Sequence, residues 1–261
     1  MRRDGPQERL ATAIARHDGL AIAVSGGVDS MTLATFAHRL AVAPVSMIHA
    51  VSPAVPPAAT ERVRRRAAAD GWDLIVTGAG EFDDPRYRNN PVDRCYFCKT
   101  NLYDRIRSLS SHPIASGANL DDLGDYRPGL LAASERAVVH PYIEAGMDKA
   151  AVRTLARALG ADDVAELPAQ PCLASRVETG IAIDAADLAF VDKVETTLAR
   201  ALPPAATVRC RITHAGVAIE VGDEAATTAG LADAAARLCQ DDGRTFVGVR
   251  RYRRGAMFVR A

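Results

Sequence analysis

The chain has 261 residues, 32 basic and 32 acidic side chains, a formal net charge of zero, 48% hydrophobic residues and only 5% aromatic ones. That length supports one large domain or two unequal ones, and neutrality excludes the broad phosphate-seeking field of a sequence-independent nucleic-acid binder. No uninterrupted apolar run approaches the roughly 18 residues of a membrane span, and the N-terminus meets Asp4 and Pro6 in place of an apolar signal core, so the expectation is a cytoplasmic protein with no nucleic-acid or membrane partner.

Residues 20–24 (Leu-Ala-Ile-Ala-Val) form a short apolar run that ends in Ser25-Gly26-Gly27-Val28-Asp29-Ser30, and 31–40 then show helical apolar spacing: strand, glycine loop, helix. The pattern continues with a strand over 45–51, a helix over 58–70 with an arginine-rich outer face, a strand over 72–77, a helix over 99–109 and strands over 113–116 and 137–141. A helix over 148–159, begun near Asp148 and ended by Gly160, follows. Alternating strands and helices predict an α/β domain over 1–165 with a parallel sheet covered on both faces. Periodicity fails beyond 162, where Pro168 and Pro171 bracket a functional linker assigned to 166–183. A helix over 184–201, a hairpin of 207–213 and 217–221, a helix over 223–239 and a second hairpin of 245–252 and 256–260 predict a smaller α+β domain over 184–261, with a predominantly antiparallel sheet.

The loop at 25–30 sits where a βα nucleotide site belongs, after a strand and at the start of a helix. Gly26 and Gly27 let backbone N–H groups approach an anion, Ser25 and Ser30 add donors, and Asp29 is placed to hold Mg²⁺ on the same phosphates. A Walker A motif is excluded because its lysine is absent from the loop. The pattern S-G-G-x-D-S resembles the pyrophosphate loop of the N-type ATP pyrophosphatases, which cleave ATP between the α- and β-phosphates and adenylate a substrate oxygen. In that family the end of the second strand supports the adenine, which implies Ile48, His49 and Ala50 here; a core histidine is the other reading of His49. After the fourth strand, Gly117 allows close nucleotide approach beside Asp121 and Asp122, carboxylates suited either to metal or to a solvated acidic turn.

Cysteines stand at 95, 98, 172, 210 and 239, an odd number that fits poorly with a secreted disulfide framework. Arg94-Cys95-Tyr96-Phe97-Cys98-Lys99 and Cys172-Leu173-Ala174-Ser175-Arg176 each set cysteine beside cations, which favour thiolate, the form that attacks electrophiles or binds metal. Cys95 and Cys98 alone read as a zinc half-site or a reversible disulfide, but a closed zinc site needs four ligands and no second such pair exists. Three thiolates suit a 4Fe-4S cluster with one open iron. Cys210 and Cys239 read as core or surface thiols.

Together S-G-G-V-D-S, R-C-Y-x-C-K, D-Y-R-P-G at 125–129 followed by Ser134-Glu135, C-L-A-S-R, and V-R-x-R at 208–211 resemble the LarE family, from about residue 8 to the C-terminus. These are pyrophosphate-loop sulfur transferases that make the nickel-pincer nucleotide cofactor. The resemblance implies a Rossmann-like adenine nucleotide alpha hydrolase domain and a small-molecule substrate, pyridinium-3,5-biscarboxylic acid mononucleotide. Its carboxylates would be adenylated with ATP and Mg²⁺ and then converted to thiocarboxylates. Cys172 matches the sulfur-donating cysteine, given up as dehydroalanine in members that have it alone. Because Cys95, Cys98 and Cys172 are all present, the resemblance is to the branch in which they ligate a 4Fe-4S cluster that carries hydrosulfide. Lys99 and Arg176 are the implied catalytic cations, with Arg94 a weaker third, while Arg209, Arg211 and Ser175 are implied substrate contacts. Glu195 and Glu220 position those arginines, bind metal or are surface charges, and Arg250, Arg251, Arg253 and Arg254 form an exposed hairpin or a subunit contact in an implied homo-oligomer. The rival readings are a tRNA thiolase, an amide-forming synthetase, or a non-catalytic iron–sulfur or zinc nucleotide-binding protein.

Overall fold

The computed structural model describes residues 5–124, 127–168, 171–203, 206–223, 230–253, 255 and 257. The chain divides into two compact units, Met1–Phe82 with Cys95–Gln170, and Asp83–Arg94 with Pro171–Ala261.

The first unit opens with α1 (Pro6–Ala15), a helix absent from the sequence reading although Leu10, Ala13 and Ile14 bury one of its faces. Then come β1 (Leu20–Ala23), α2 (Val28–Leu40), β2 (Val45–Val51), α3 (Pro57–Asp70) and β3 (Asp73–Gly78). The chain leaves this unit through α4 (Pro85–Arg88) and returns along α5 (Arg94–Leu109), β4 (Ile114–Ala115), α6 (Pro128–Glu135), α7 (Pro141–Glu144), α8 (Lys149–Ala158) and α9 (Asp162–Ala165). The strands lie in the order β3-β2-β1-β4 and every pairing is parallel. Successive residues of β1 explain why both faces must be covered. Leu20 and Ile22 join a core with Met31 of α2 and Val152 and Leu155 of α8, whereas Ala21 joins a second core with Tyr103 and Ile106 of α5. This is the expected α/β fold with a parallel sheet, flanked by helices.

Two boundaries differ from expectation. The strand foreseen over 137–141 shrinks to a single bridge between Val139 and Ala115, because Ala137 takes a left-handed conformation (φ 50°) and Pro141 starts a helix. Conversely α5 begins five residues before the foreseen helix over 99–109, so Cys95 and Cys98 lie one turn apart on a helix rather than in a loop.

The second unit contains α10 (Ala185–Ala199), capped by the Asp184 side chain, then β5 (Val208–Thr213), β6 (Gly216–Val221), α11 (Leu231–Asp241) and β7 (Phe246–Arg251). β5 and β6 form the foreseen hairpin, but β7 pairs with β6 in parallel, so the sheet is mixed. The reason is the connection: α11 carries the chain back before β7 starts, and a helical crossover sets strands parallel where a tight turn sets them antiparallel. The return strand foreseen over 256–260 lies outside the described residues apart from Met257, as do Asp125, Arg254 and the first turns of the helix foreseen over 223–239.

Candidate functional site

In the first unit the glycine loop folds onto itself at the carboxyl end of β1. Ser30 Oγ accepts the Ser25 backbone N–H (3.0 Å), lies 3.1 Å from Ser25 Oγ and donates to the Gly27 carbonyl (3.3 Å). Gly26 has φ +82°, and a Cβ there would stand 2.7 Å from the Ala59 carbonyl oxygen of α3, so conformation and packing both demand glycine. Gly27 is the N-cap of α2 and offers no side-chain acceptor, which leaves the first-turn N–H groups without a side-chain cap, the arrangement that suits an anion. Gly117 serves a packing role that the sequence did not disclose. A Cβ there would meet the Ser30 backbone nitrogen at 2.8 Å, so the missing side chain lets the segment after β4 close on the start of α2.

Asp29 is the best-held group of the loop. Its carboxylate is ion-paired with Lys149 at the first turn of α8 and accepts from Asn119 Nδ2 (3.1 Å), and its backbone carbonyl accepts from the buried Tyr142 hydroxyl (3.1 Å). Burial, helped by the negative charge of Asp29, pushes the Tyr142 phenol well above its ordinary pKa, so it stays a donor. Arg62 of α3 donates to the Gly26 carbonyl (2.7 Å). Lys149, Asn119, Tyr142 and Arg62 were not foreseen as site residues. The one available signal was scarcity, since Lys99, Lys149 and Lys193 are the only lysines in the chain.

Other first-unit expectations resolve toward structure. His49 is fully buried, with Nδ1 on the Val24 carbonyl (2.7 Å) and Nε2 on Thr60 Oγ1 (2.9 Å), so it is a core histidine that ties β2 to the loop and α3. Because a carbonyl only accepts, Nδ1 carries the proton, and burial pushes this histidine's pKa down. Asp121 accepts the Lys149 backbone N–H (3.4 Å), while Asp122 accepts that of Asn119 (3.1 Å) and pairs with Arg127 (3.0 Å), which makes this a capping acidic turn.

On α5, Cys95 and Cys98 are half-buried and Lys99 lies with Nζ 5.8 Å from the Tyr103 ring centroid. Gly129 of α6 packs against this stretch, since a Cβ there would stand 3.0 Å from Lys99 Cγ. The Tyr96 hydroxyl donates to Glu135 (2.7 Å). The R-C-Y-x-C-K motif and the segment from Pro128 to Glu135 thus meet.

The second unit gathers the remaining residues. Cys172 is exposed and immediately precedes a 3-10 turn over Leu173–Arg176. Arg176 is buried and pairs bidentately with Glu195 (2.9 Å and 2.9 Å). Arg209 and Arg211 lie on one face of β5, both close to the Tyr252 ring at 5.9 Å and 5.8 Å. Arg211 donates to Glu220 (2.7 Å) and to the Ser175 carbonyl (3.1 Å); Arg250 reaches the other Glu220 oxygen (3.1 Å). Glu195 and Glu220 are therefore partners of arginines. Burial, and then the like charge of Arg176, lower the Arg209 pKa. Arg94 is a buried structural residue that donates to Asn90 Oδ1 (2.7 Å). Cys210 and Cys239 are buried, and burial raises both thiol pKa values, so they are core thiols. Cys95 and Cys98 belong to the first unit and Cys172 to the second, and among the described residues no group of His, Cys, Asp or Glu is gathered as metal ligands.

A parallel α/β sheet carrying an uncapped glycine loop with a lysine-paired aspartate, joined in one chain to a small mixed-sheet unit, defines a Rossmann-like pyrophosphate-loop protein. Comparison with known proteins narrows the class. The chain is 36% identical to the uncharacterized protein slr1717 of Synechocystis over 197 residues, 74% of this chain and 73% of that one, and it belongs to the same family. It is 28% identical over 156 residues to the pyridinium-3,5-bisthiocarboxylic acid mononucleotide synthase of Lactiplantibacillus plantarum, covering 58% of this chain and 56% of the synthase. It is also 26% identical over 192 residues to the uncharacterized protein MJ0830 of Methanocaldococcus jannaschii, 72% of each chain. No protein-family model matches the chain. Among the described residues no helix is long and apolar enough to cross a membrane.

Proposed function

We propose that this protein is an ATP-dependent sulfur transferase that activates the carboxylates of pyridinium-3,5-biscarboxylic acid mononucleotide as acyl-adenylates and replaces the activated oxygen by sulfur. The observation that carries the reading is the glycine loop, whose Asp29 is held between Lys149 and Asn119 beside uncapped helix N–H groups. A carboxylate oxygen is a poor leaving group, so it first attacks the α-phosphorus of ATP and pyrophosphate departs. The N–H groups of α2, the Ser25 and Ser30 hydroxyls and the Lys149 ammonium are the donors this chain supplies to the departing charge. Asp29 is the residue that would hold Mg²⁺, which supplies further charge neutralisation at the phosphates.

In the second step a Cys172 thiolate attacks the acyl carbon and AMP leaves with the former carboxylate oxygen, giving a thioester. Loss of the Cys172 α-proton with cleavage of its Cβ–Sγ bond then releases the thiocarboxylate and leaves dehydroalanine. Arg209 and Arg211 serve the substrate phosphate and Lys99 the adenylate. Ligation of a 4Fe-4S cluster by Cys95, Cys98 and Cys172 is supported by the sequence pattern alone and enters neither step. Anaerobic reconstitution tests it: iron that stays substoichiometric, or a full cluster in Cys172→Ala, rejects that assignment. A homo-oligomer in the cytoplasm accompanies the same reading, with light scattering as the check on assembly.

The decisive experiment measures pyrophosphate release from ATP with and without the biscarboxylate nucleotide. Substrate-dependent release is expected, and its absence rejects the enzyme reading. A mass spectrum after turnover reads the sulfur source, since loss of H₂S from the Cys172 peptide marks sacrificial donation.

A further inference from the structure

Arg176 stands four residues beyond Cys172, where a cation aimed at the adenylate would be useful, but its surroundings give it a different task. It is 4% exposed and all its guanidinium nitrogens are engaged within the protein. Nε and Nη2 donate to Glu195 Oε1 and Oε2 at 2.9 Å each, and Nη1 donates to the Pro171 carbonyl (2.7 Å), the Cys172 carbonyl (3.2 Å) and Ser175 Oγ (3.0 Å). Burial on its own would lower the Arg176 pKa, yet the hydrogen bond and charge of Glu195 hold it above its ordinary value, so the positive charge is already matched inside the fold.

We propose that Arg176 and Glu195 are positioning residues for sulfur transfer: Glu195 anchors the guanidinium, and the guanidinium holds the backbone on which the Cys172 thiol is presented. The inference rests on the reading of Cys172 as sulfur donor. Glu195 is itself fixed, because its Oε1 also accepts the Cys210 backbone N–H of β5 (2.9 Å) and it projects from α10, whose Val191, Val194 and Leu198 are buried. The turn is closed from within by the Ser175 N–H on the Cys172 carbonyl (3.0 Å) and from outside by Arg211 on the Ser175 carbonyl (3.1 Å). Just beyond, Val177 bridges Ile212 of β5. The backbone on each side of the cysteine is thus tied to α10 and β5, while Cys172 itself remains exposed.

That combination suits a nucleophile that must meet a large activated substrate. The sulfur needs access, but its direction of approach has to be set in advance, since a displacement of about 1 Å at a reacting atom costs on the order of a hundredfold in rate. A bidentate guanidinium–carboxylate pair fixes orientation in a way that an ammonium cannot, so Arg176→Lys keeps the charge and loses the fork.

The test uses the full-length protein as wild type, Arg176→Lys and Glu195→Gln, with three readouts. Alkylation of Cys172 by iodoacetamide, followed on its peptide by mass spectrometry without any ligand, is expected to change at least about threefold in both variants as the turn loosens. Pyrophosphate release from ATP and the biscarboxylate nucleotide should stay within about twofold of wild type, while thiocarboxylate formation falls about 10- to 100-fold at an unchanged KM for the nucleotide. A raised KM with unchanged alkylation overturns the proposal and makes Arg176 a substrate contact. Absence of pyrophosphate release in the wild type rejects the sulfur-transferase reading, and the alkylation rates still decide whether the clamp exists. Glu195→Gln keeps the acceptor for the Cys210 N–H, so it serves as the second variant if Arg176→Lys does not fold.

Discussion

Replacing Gly117 by alanine separates the packing of the glycine loop from its binding capacity. The added Cβ would lie 2.8 Å from the Ser30 backbone nitrogen, 2.9 Å from the Asp29 carbonyl carbon and 3.1 Å from Asp29 Cβ. Comfortable carbon contacts need about 3.5 Å or more, and these neighbours are backbone or the first side-chain atom, so either the segment after β4 or the start of α2 must yield by about half an ångström. Overpacking of this kind costs about 1–3 kcal/mol, against a total stability of about 5–15 kcal/mol for a folded domain. The variant should therefore fold, with a melting temperature lower by several degrees. The displaced residues are those that shape the loop: Ser30 receives the Ser25 N–H, and Asp29 faces Lys149 and Asn119. Affinity for ATP should fall about 10- to 100-fold, because donor geometry at an anion site tolerates little movement. Thermal melts paired with calorimetric ATP titration make the measurement, with Gly78→Ala as control, since a Cβ there meets nothing within 4 Å. A Gly117→Ala protein that melts lower yet binds ATP like wild type would refute the link between this contact and the loop, and an unchanged melt would refute the contact itself.

Lys149→Met should leave stability within about 1 kcal/mol, as expected for a partly exposed ion pair whose side chains are 32% and 28% accessible. Substrate-dependent pyrophosphate release should drop about a hundredfold or more if the ammonium serves the departing phosphates; equal losses in stability and activity would point to a purely structural pair. Glu220→Gln removes the counter-charge of the buried Arg211, so chemical denaturation should show a loss of about 3–5 kcal/mol, and a loss under about 1 kcal/mol would mean the pair is not felt. His49 has a lowered pKa in the fold, hence the unfolded chain takes the proton first and stability present above about pH 6.5 is lost as the pH falls below it. Urea midpoints between pH 5 and 8 should steepen downward on the acid side, at most about 1.4 kcal/mol per pH unit for one proton, and His49→Asn should flatten that slope. His140, half-buried and 2.8 Å from Ser116 Oγ, has a pKa lowered by burial and contributes with the same sign.

Periodicity was legible in most elements whose one face meets one core, α1 with its buried Leu10, Ala13 and Ile14 being the exception. The alternation of Leu20, Ala21 and Ile22 between two cores is what makes a parallel strand read as a continuous apolar run, and the loop after it was recognisable from glycine and serine placement alone. The direction of β7 was not legible, because its residues fit either neighbour orientation and only the helix before it decides. Nor was the start of α5, since Cys95, Tyr96, Phe97 and Cys98 have modest helix preference and their helical state depends on surroundings supplied by distant segments, such as Gly129 against Lys99. At the site, the cations Arg176, Arg209 and Arg211 were visible by type and spacing, but their partners were not. Glu195 lies nineteen residues beyond Arg176 in the chain and Lys149 lies 120 beyond Asp29, separations over which no periodic signal reaches.

The charges of both units are paired before any ligand arrives: Asp29 with Lys149, Arg176 with Glu195, and Arg211 with Glu220. Under the proposed function, pairing is how a chain of zero net charge would accommodate a highly charged nucleotide. Each cation is fixed in direction by an acid that neutralises it at long range, so no broad attractive field forms. Local donor geometry nevertheless remains organised, and reorganisation on binding is small. Such a site also discriminates. A singly charged anion gains little from guanidiniums whose charge is already answered, whereas a phosphate dianion with several acceptor oxygens can engage Arg209 and Arg211 together without displacing Glu220. Inorganic phosphate should therefore compete with the nucleotide for the second unit far better than chloride does at equal ionic strength, and equal competition by the two anions would show that charge alone, rather than the paired geometry, does the binding.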